Sequence, residues 1–226
     1  DTRLLRAAQT CEFIGVGEPR MTTTVHFLRH GEVNNPEGIL YGRIPGYSLS
    51  GLGVAMAERV AQWAANRDIK AIHASPLTRA QETAAPIAAQ LGLTITTDER
   101  LIEASNVFEG KRFSVGDGVL RRPSAWRHLW NPFLPSWGEP YREQVDRMFQ
   151  AGQAARRAAA GHEAICVSHQ LPIWILRSSL EGRRFLHDPR RRECTLASLT
   201  SIVFNEDGQV TDINYLEPAR DLLPRK

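Results

Sequence analysis

The stretch Val25-His26-Phe27-Leu28-Arg29-His30-Gly31-Glu32 runs an apolar strand straight into Arg-His-Gly, and its reading decides the fold. Val25, Phe27 and Leu28 form a short apolar run bounded by a glycine, the pattern of a strand buried in a parallel sheet. Open sheets of that kind bind ligands at the carboxyl ends of their strands, so chemistry is expected from Arg29 onward. Arg29 offers a planar, permanently charged fork suited to two phosphate oxygens. His30 is a nucleophile near neutral pH, and Gly31 lets an anion approach the backbone. Taken alone, these eight residues equally describe a strand that happens to end in polar side chains, because short motifs often match by accident.

Two further stretches change that balance. Ala71-Ile72-His73-Ala74 reads as a second strand and meets Ser75-Pro76-Leu77-Thr78-Arg79-Ala80-Gln81-Glu82-Thr83, which opens a helix running to about Leu91. Ser75 is the predicted N-cap and Pro76 the first helical residue. Arg79 then falls in the first turn, where its side chain leans back toward unpaired amides and favours an anion. Ala164-Ile165-Cys166-Val167 is another apolar strand, delivering Ser168-His169 at its carboxyl end. Three strands therefore bring two histidines and two arginines to one edge of one sheet. Around them, Ser50 caps a helix with the apolar face Leu52, Met56, Val60 and Trp63, and Leu93 to Thr97 is a further strand. Glu103 follows that strand on a loop aimed at the same edge. Glu139 to Ala160 and Leu171 to Leu180 read as helices. Leu196 to Phe204 and Val210 to Leu216 pair through Asn205-Glu206-Asp207-Gly208 as a hairpin at the sheet edge.

Arg29-His30-Gly31-Glu32, Ser75 to Thr83, Leu101-Ile102-Glu103 with Phe108-Glu109-Gly110, and Val167-Ser168-His169 occur in the order of a known family. Across most of residues 25 to 217 the chain resembles the histidine phosphatase superfamily, also called the phosphoglycerate mutase-like family. The resemblance implies an α/β fold: a three-layer sandwich around a mostly parallel sheet with an antiparallel edge. The mix of Lys111, Arg112, Arg121, Arg122 and Arg127 with aromatics between 110 and 138 favours a phosphomonoester phosphatase, and the arginines and second histidine supply its charge stabilisation without metal or cofactor. By the resemblance His30 would be the phosphorylated nucleophile, Arg29, Arg79 and His169 the rest of the phosphate pocket, and Glu103 the proton donor. A phosphoglycerate-mutase-type phosphotransferase is the alternative, since both use the same four-residue pocket. A non-catalytic phosphate-binding relative would be expected to lose His30 or Glu103, and both are present. Two positions depart from the family pattern, with Val33 in place of Thr or Ser and Gln170 in place of Gly.

The residue types agree with that chemistry. Phosphoryl transfer asks mainly for positioning and for charge stabilisation of the equatorial oxygens, which two arginines and a second histidine supply. One carboxyl group can protonate the departing oxygen and then take a proton from water. Glu109 competes with Glu103 for that role, but a residue in an aromatic-Glu-Gly turn more often anchors its own loop. Asn35 and Arg43, on the polar loop Asn34 to Tyr47, are candidates for substrate contacts. A metal site on His26 and His30 lacks the companion ligands of known metal motifs, and the neighbouring arginines would repel a cation.

At 226 residues with a net charge of +3, the chain is long enough for one sizeable core. Residues 1 to 20 read as an appendage before Met21, and 21 to 226 as one catalytic domain with a lid-like insertion at about 110 to 138. The insertion's aromatics either pack the lid down or meet an apolar leaving group. Arg183-Arg184 and Arg190-Arg191-Arg192 are read as a solvated rim attracting anionic substrates; without a basic helix or an aromatic-spaced motif they predict neither nucleic-acid nor membrane partners. Three widely spaced cysteines, no run approaching the roughly 18 apolar residues of a membrane span, and no signal-peptide core predict a soluble, cytoplasmic protein acting on a phosphorylated small molecule.

Overall fold

The protein is seen in a computed structural model that describes residues 21–106, 109–111, 138–185 and 192–223. The appendage 1–20, Phe108 and most of the lid-like segment lie outside the described residues. The elements in chain order are β1 (Thr23–Arg29), α1 (Gly51–Ala64), β2 (Ile69–Ala74), α2 (Thr78–Leu91), β3 (Ile95–Thr97), a 3-10 turn (Glu99–Leu101), α3 (Tyr141–Ala158), β4 (Glu163–Ser168), α4 (Gln170–Leu180), β5 (Leu199–Phe204) and β6 (Val210–Leu216). A second 3-10 turn, Arg220–Leu222, follows. The strands form one six-stranded sheet in the order β3-β2-β4-β1-β5-β6. The first four run parallel, while β5 and β6 are antiparallel. This is the mostly parallel α/β sheet with an antiparallel edge that the sequence predicts.

Side-chain alternation splits the core into two layers, because successive residues of a strand face opposite sides of the sheet. Leu28, Ile72, Ala74, Ile165, Val167 and Leu199 pack with Met56 and Val60 of α1 and Ala80, Ala84 and Ile87 of α2. Val25, Phe27, Ala164, Cys166, Ile202 and Phe204 pack on the other face with Met148, Ala151 and Ala155 of α3 and Ile173 and Leu176 of α4. Each central strand is therefore apolar on both faces, which is why β1 and β4 read as nearly continuous apolar runs. Ser50 caps α1 as predicted, its Oγ accepting from the Gly53 N–H at 3.0 Å.

The start of α2 differs from the sequence reading. The helix begins at Thr78 with Leu77 as its N-cap, and no side chain caps it. The Ser75 hydroxyl stands before the helix instead, meeting His169 Nε2 at 2.8 Å and accepting from the Leu77 N–H at 3.4 Å. Arg79 still lies in the first turn. At the other end of the hairpin reading, residues 196–198 are not strand; Ala197 adopts φ 53° and turns the chain into β5.

Within the α1 side of the core, β1 carries a buried polar side chain, His26. Its Nδ1 lies 2.7 Å from Ser201 Oγ and its Nε2 3.1 Å from Glu163 Oε2. Arg67 grips the same carboxylate with two bonds of 2.7 and 2.8 Å. Burial lowers the His26 pKa, so the ring is neutral and donates through Nε2–H while Ser201 donates to Nδ1. The His26 bond, with the Arg67 fork, holds the Glu163 carboxyl down to about 2 against an ordinary 4.5. A depressed carboxyl stabilises the fold above its ordinary value and loses that contribution as pH falls through the folded value. Partly exposed to water, Glu163 should contribute about 1–3 kcal/mol at neutral pH. Urea unfolding across pH should show the advantage of wild type over Glu163→Gln shrinking between pH 4.5 and about 2.

Candidate active site

The register of the two central strands decides what meets at the sheet edge. In the parallel β1–β4 pair Arg29 stands opposite Ser168, so the next residues, His30 and His169, leave adjacent strands at the same level. The His30 N–H bonds the Ser168 carbonyl at 3.1 Å, and the two imidazole rings lie 5.2 Å apart at 57°. In β2, Ala74 pairs with Val167, which sets Ser75 beside the same edge and puts its hydroxyl on His169.

His30 is buried and held by its own neighbour, with Nδ1 2.7 Å from the Gly31 carbonyl oxygen. A carbonyl can only accept, so Nδ1 carries the proton and Nε2 keeps a free lone pair. Burial first, then the Arg29 and Arg79 charges, hold the His30 pKa well below its usual range, with the Gly31 bond opposing. His169 is lowered in the same way by burial, then by His30 and the arginines. Both rings are neutral at physiological pH.

The arginines are fixed through uncharged partners. Arg79, 1% exposed, donates from Nη2 to the Gly42 carbonyl at 2.7 Å and lies 4.7 Å above the Tyr41 ring. Arg29 donates from Nη1 to the Cys194 carbonyl at 2.7 Å. Among the described residues neither forms an ion pair with a carboxylate. Arg29 Nε, Arg79 Nε and His169 Nδ1 are buried without a partner there. Two cations, two neutral imidazoles and three unused buried nitrogens form a site complementary to a small oxyanion.

Glu103 approaches from the loop after the 3-10 turn, and its Oε1 accepts from the Ala104 N–H at 2.8 Å. Burial raises its pKa, while that bond and the charges of Arg79, Arg29 and Arg147 pull the other way. A carboxyl raised by burial and felt by both Arg29 and Arg79 can carry a proton beside these cations. Glu109 instead accepts from the Asn106 N–H at 3.2 Å and anchors its own turn.

A family model described as the histidine phosphatase superfamily, branch 1, matches residues 25–214. The chain belongs to this superfamily. It is 57% identical over 197 residues to the uncharacterized protein Rv0525 of Mycobacterium tuberculosis, covering 87% of this chain and 97% of that one. Probable phosphoglycerate mutase GpmB of Yersinia pestis is 31% identical over 209 residues, covering 87% of this chain and 92% of GpmB. Among solved structures, Bacillus stearothermophilus YhfR matches with a TM-score of 0.69 at 26% identity, covering 84% of this chain and 94% of YhfR.

In this member of the superfamily the expected substrate contacts Asn35 and Arg43 are engaged with the protein itself. Asn35 closes its own loop on Ile39, through bonds of 2.8 and 3.1 Å. Arg43 donates to the Glu103 carbonyl at 2.6 Å and to Glu139 at 2.9 Å. Short polar side chains fold back on nearby backbone readily, and a guanidinium finds carbonyls and a carboxylate within its reach. The departure at Gln170 acquires a place: its Nε2 reaches the Cys194 carbonyl at 3.3 Å, the same atom that holds Arg29. Arg192, read in sequence as part of a solvated rim, is only partly exposed and lies 3.5 Å from Gln170 Oε1. No group of three or more metal-ligating side chains occurs among the described residues.

Several supporting residues escaped the sequence reading. Thr83 accepts from the Gly31 N–H at 3.1 Å and donates to the Arg79 carbonyl at 2.7 Å, tying the His30 loop to the start of α2. It is the last residue of the Ser75 to Thr83 motif, which was the available signal. Glu32 accepts from Ser50 Oγ at 2.6 Å, linking the same loop to the cap of α1. The contact is close enough that a Cβ on Gly31 would stand 2.6 Å from the Gly53 carbonyl oxygen. Gly31→Ala should therefore cost about 1–3 kcal/mol in denaturant unfolding, as overpacking against backbone does.

Proposed function

We propose that the protein is a phosphomonoester phosphatase working through a phosphohistidine on His30. The observation that carries this reading is the Nδ1–H of His30 held on the Gly31 carbonyl, which leaves Nε2 as the nucleophile beside Arg29, Arg79 and His169. The Nε2 lone pair attacks phosphorus, the P–O bond to the leaving group breaks, and Glu103 gives that oxygen a proton. Water then attacks the phosphohistidine, the P–N bond breaks, and Glu103 recovers a proton from the water. Arg29, Arg79 and His169 bind the equatorial oxygens throughout, and no metal is needed for charge stabilisation.

His30→Ala should abolish turnover of any phosphomonoester. Wild-type protein quenched during turnover should carry acid-labile phosphate on His30. Activity should survive exhaustive chelation and be inhibited by vanadate. Label on a serine, or a requirement for added metal, would overturn the reading.

The second reading is a mutase, favoured by the likeness to GpmB, whose name gives it phosphoglycerate mutase activity. The two part at the second step, where phosphate goes to water or returns to a substrate hydroxyl. Release of inorganic phosphate against isomerised product, followed on a panel of phosphorylated metabolites, separates them.

The pH dependence follows from the same groups. A general acid must be protonated, and Glu103 is raised by burial, so kcat/KM should fall as pH climbs through a value above the ordinary carboxyl range. His30 sits well below its usual range, so its protonation should not limit activity near neutrality. In Glu103→Gln the alkaline limb should vanish, and poor leaving groups should lose about a hundredfold to ten-thousandfold in rate.

A further inference from the structure

From the end of the 3-10 turn into the loop that carries Glu103, four consecutive carbonyls are each bound by a side chain. Arg147 Nη1 donates to Arg100 at 2.6 Å and to Ile102 at 2.7 Å. Ser168 Oγ donates to Leu101 at 2.6 Å, and Arg43 Nε to Glu103 itself at 2.6 Å. Three elements, α3, the end of β4 and the loop before α1, thus converge on residues 100–103.

Glu139 joins the two arginines. Its Oε1 accepts from Arg147 Nε at 2.6 Å, and its Oε2 accepts from Arg147 Nη2 and from Arg43 Nη2, both at 2.9 Å. With side-chain exposures of 11% for Glu139 and 15% for Arg147, the pair is largely shielded from water. Glu139 is itself fixed to the far side of the acid loop, since its N–H bonds the Ser105 carbonyl at 3.2 Å. That approach needs Gly138, where a Cβ would stand 2.5 Å from the Ser105 oxygen.

We infer that Arg147, Glu139 and Arg43 are positioning residues that hold the Glu103 carboxyl at the leaving-group side of the phosphate pocket. This rests on reading Glu103 as the general acid. One oxygen of Glu103 is already held by the Ala104 N–H, so the direction of the other is set by the backbone of residues 102–104. That backbone has no ladder of its own. Side-chain donors therefore decide where the proton points, and half-buried carbonyls left without them would pull the loop toward water. The side-chain bonds of the unit go to one another and to the carbonyls of Arg100, Ile102 and Glu103, not to His30, Arg29 or Arg79, so its loss should impair proton donation while leaving anion binding in place.

The test compares Arg147→Met, Arg147→Lys, Glu139→Gln and Glu103→Gln on an alkyl phosphate and on p-nitrophenyl phosphate, with vanadate affinity and thermal unfolding measured for each. Arg147→Met should lose about a hundredfold on the alkyl ester, the scale of a misplacement near 1 Å, and less than about tenfold on the nitrophenyl ester. Vanadate affinity should stay within about threefold of wild type, because the anion site is untouched. Arg147→Lys should behave like Met, because an ammonium cannot serve two carbonyls and a carboxylate from one fork. Should Arg147→Met fail to fold, Glu139→Gln carries the test: it keeps shape, removes one acceptor and should show the same split, smaller in size. Equal losses on both esters, or vanadate binding weakened in parallel, would overturn the inference. If Glu103→Gln shows the split and neither Arg147 nor Glu139 variants do, positioning falls and the acid stands. If Glu103→Gln shows no split, the acid assignment falls and the inference with it.

Discussion

Two guanidinium groups, Arg79 buried and Arg29 half-buried, without a carboxylate partner among the described residues are the constraint on which the candidate site depends. A charge withdrawn from water must be compensated, and among the described residues Arg79 meets the Gly42 carbonyl and the face of Tyr41, while Arg29 meets the Cys194 carbonyl. Carbonyls and a π face orient a cation without neutralising it. On the proposed reading an arriving phosphate would supply the missing countercharge, and stability forgone in the free protein would become affinity for it.

The same positive field sets the protonation of everything around it. Burial and the arginines keep His30 and His169 neutral, as the proposed nucleophile His30 must be. Glu103 feels burial pushing its pKa up and the arginines pulling it down, with burial the larger. Bound phosphate would cancel part of the arginines' pull and favour the protonated acid. On the proposed reading one arrangement of charge serves both roles, holding the His30 pKa down while burial raises that of Glu103.

Holding such groups together costs backbone freedom, and the structure meets that cost with local ties. Gly31 and Gly53 allow the nucleophile loop to lie against α1, and Thr83 bonds that loop to α2. On the other side the acid loop depends on Arg147, Ser168 and Arg43 for its carbonyls. Helices and strands supply the rigid frame, and these side chains transfer its rigidity to two loops that have none of their own.

By itself the sequence determined the central strands, the α1 cap at Ser50 and the nearness of His30, His169, Arg29 and Arg79, because each signal is local. An apolar run marks a strand, a following polar residue lies at its carboxyl end, and a parallel sheet gathers such ends on one edge. What it misjudged depended on partners distant in the chain. Ser75 looks like a helix cap until His169, 94 residues away, takes its hydroxyl. Arg43 looks like a loop arginine aimed at substrate until Glu139 and the Glu103 carbonyl come within its reach. Arg147 gives no sign at all, since an arginine in the middle of an amphipathic helix reads as a solvated face. Only the tertiary structure decided these roles, because a donor's duty is set by whichever acceptor packing brings to it, and that acceptor leaves no trace in the residues beside it.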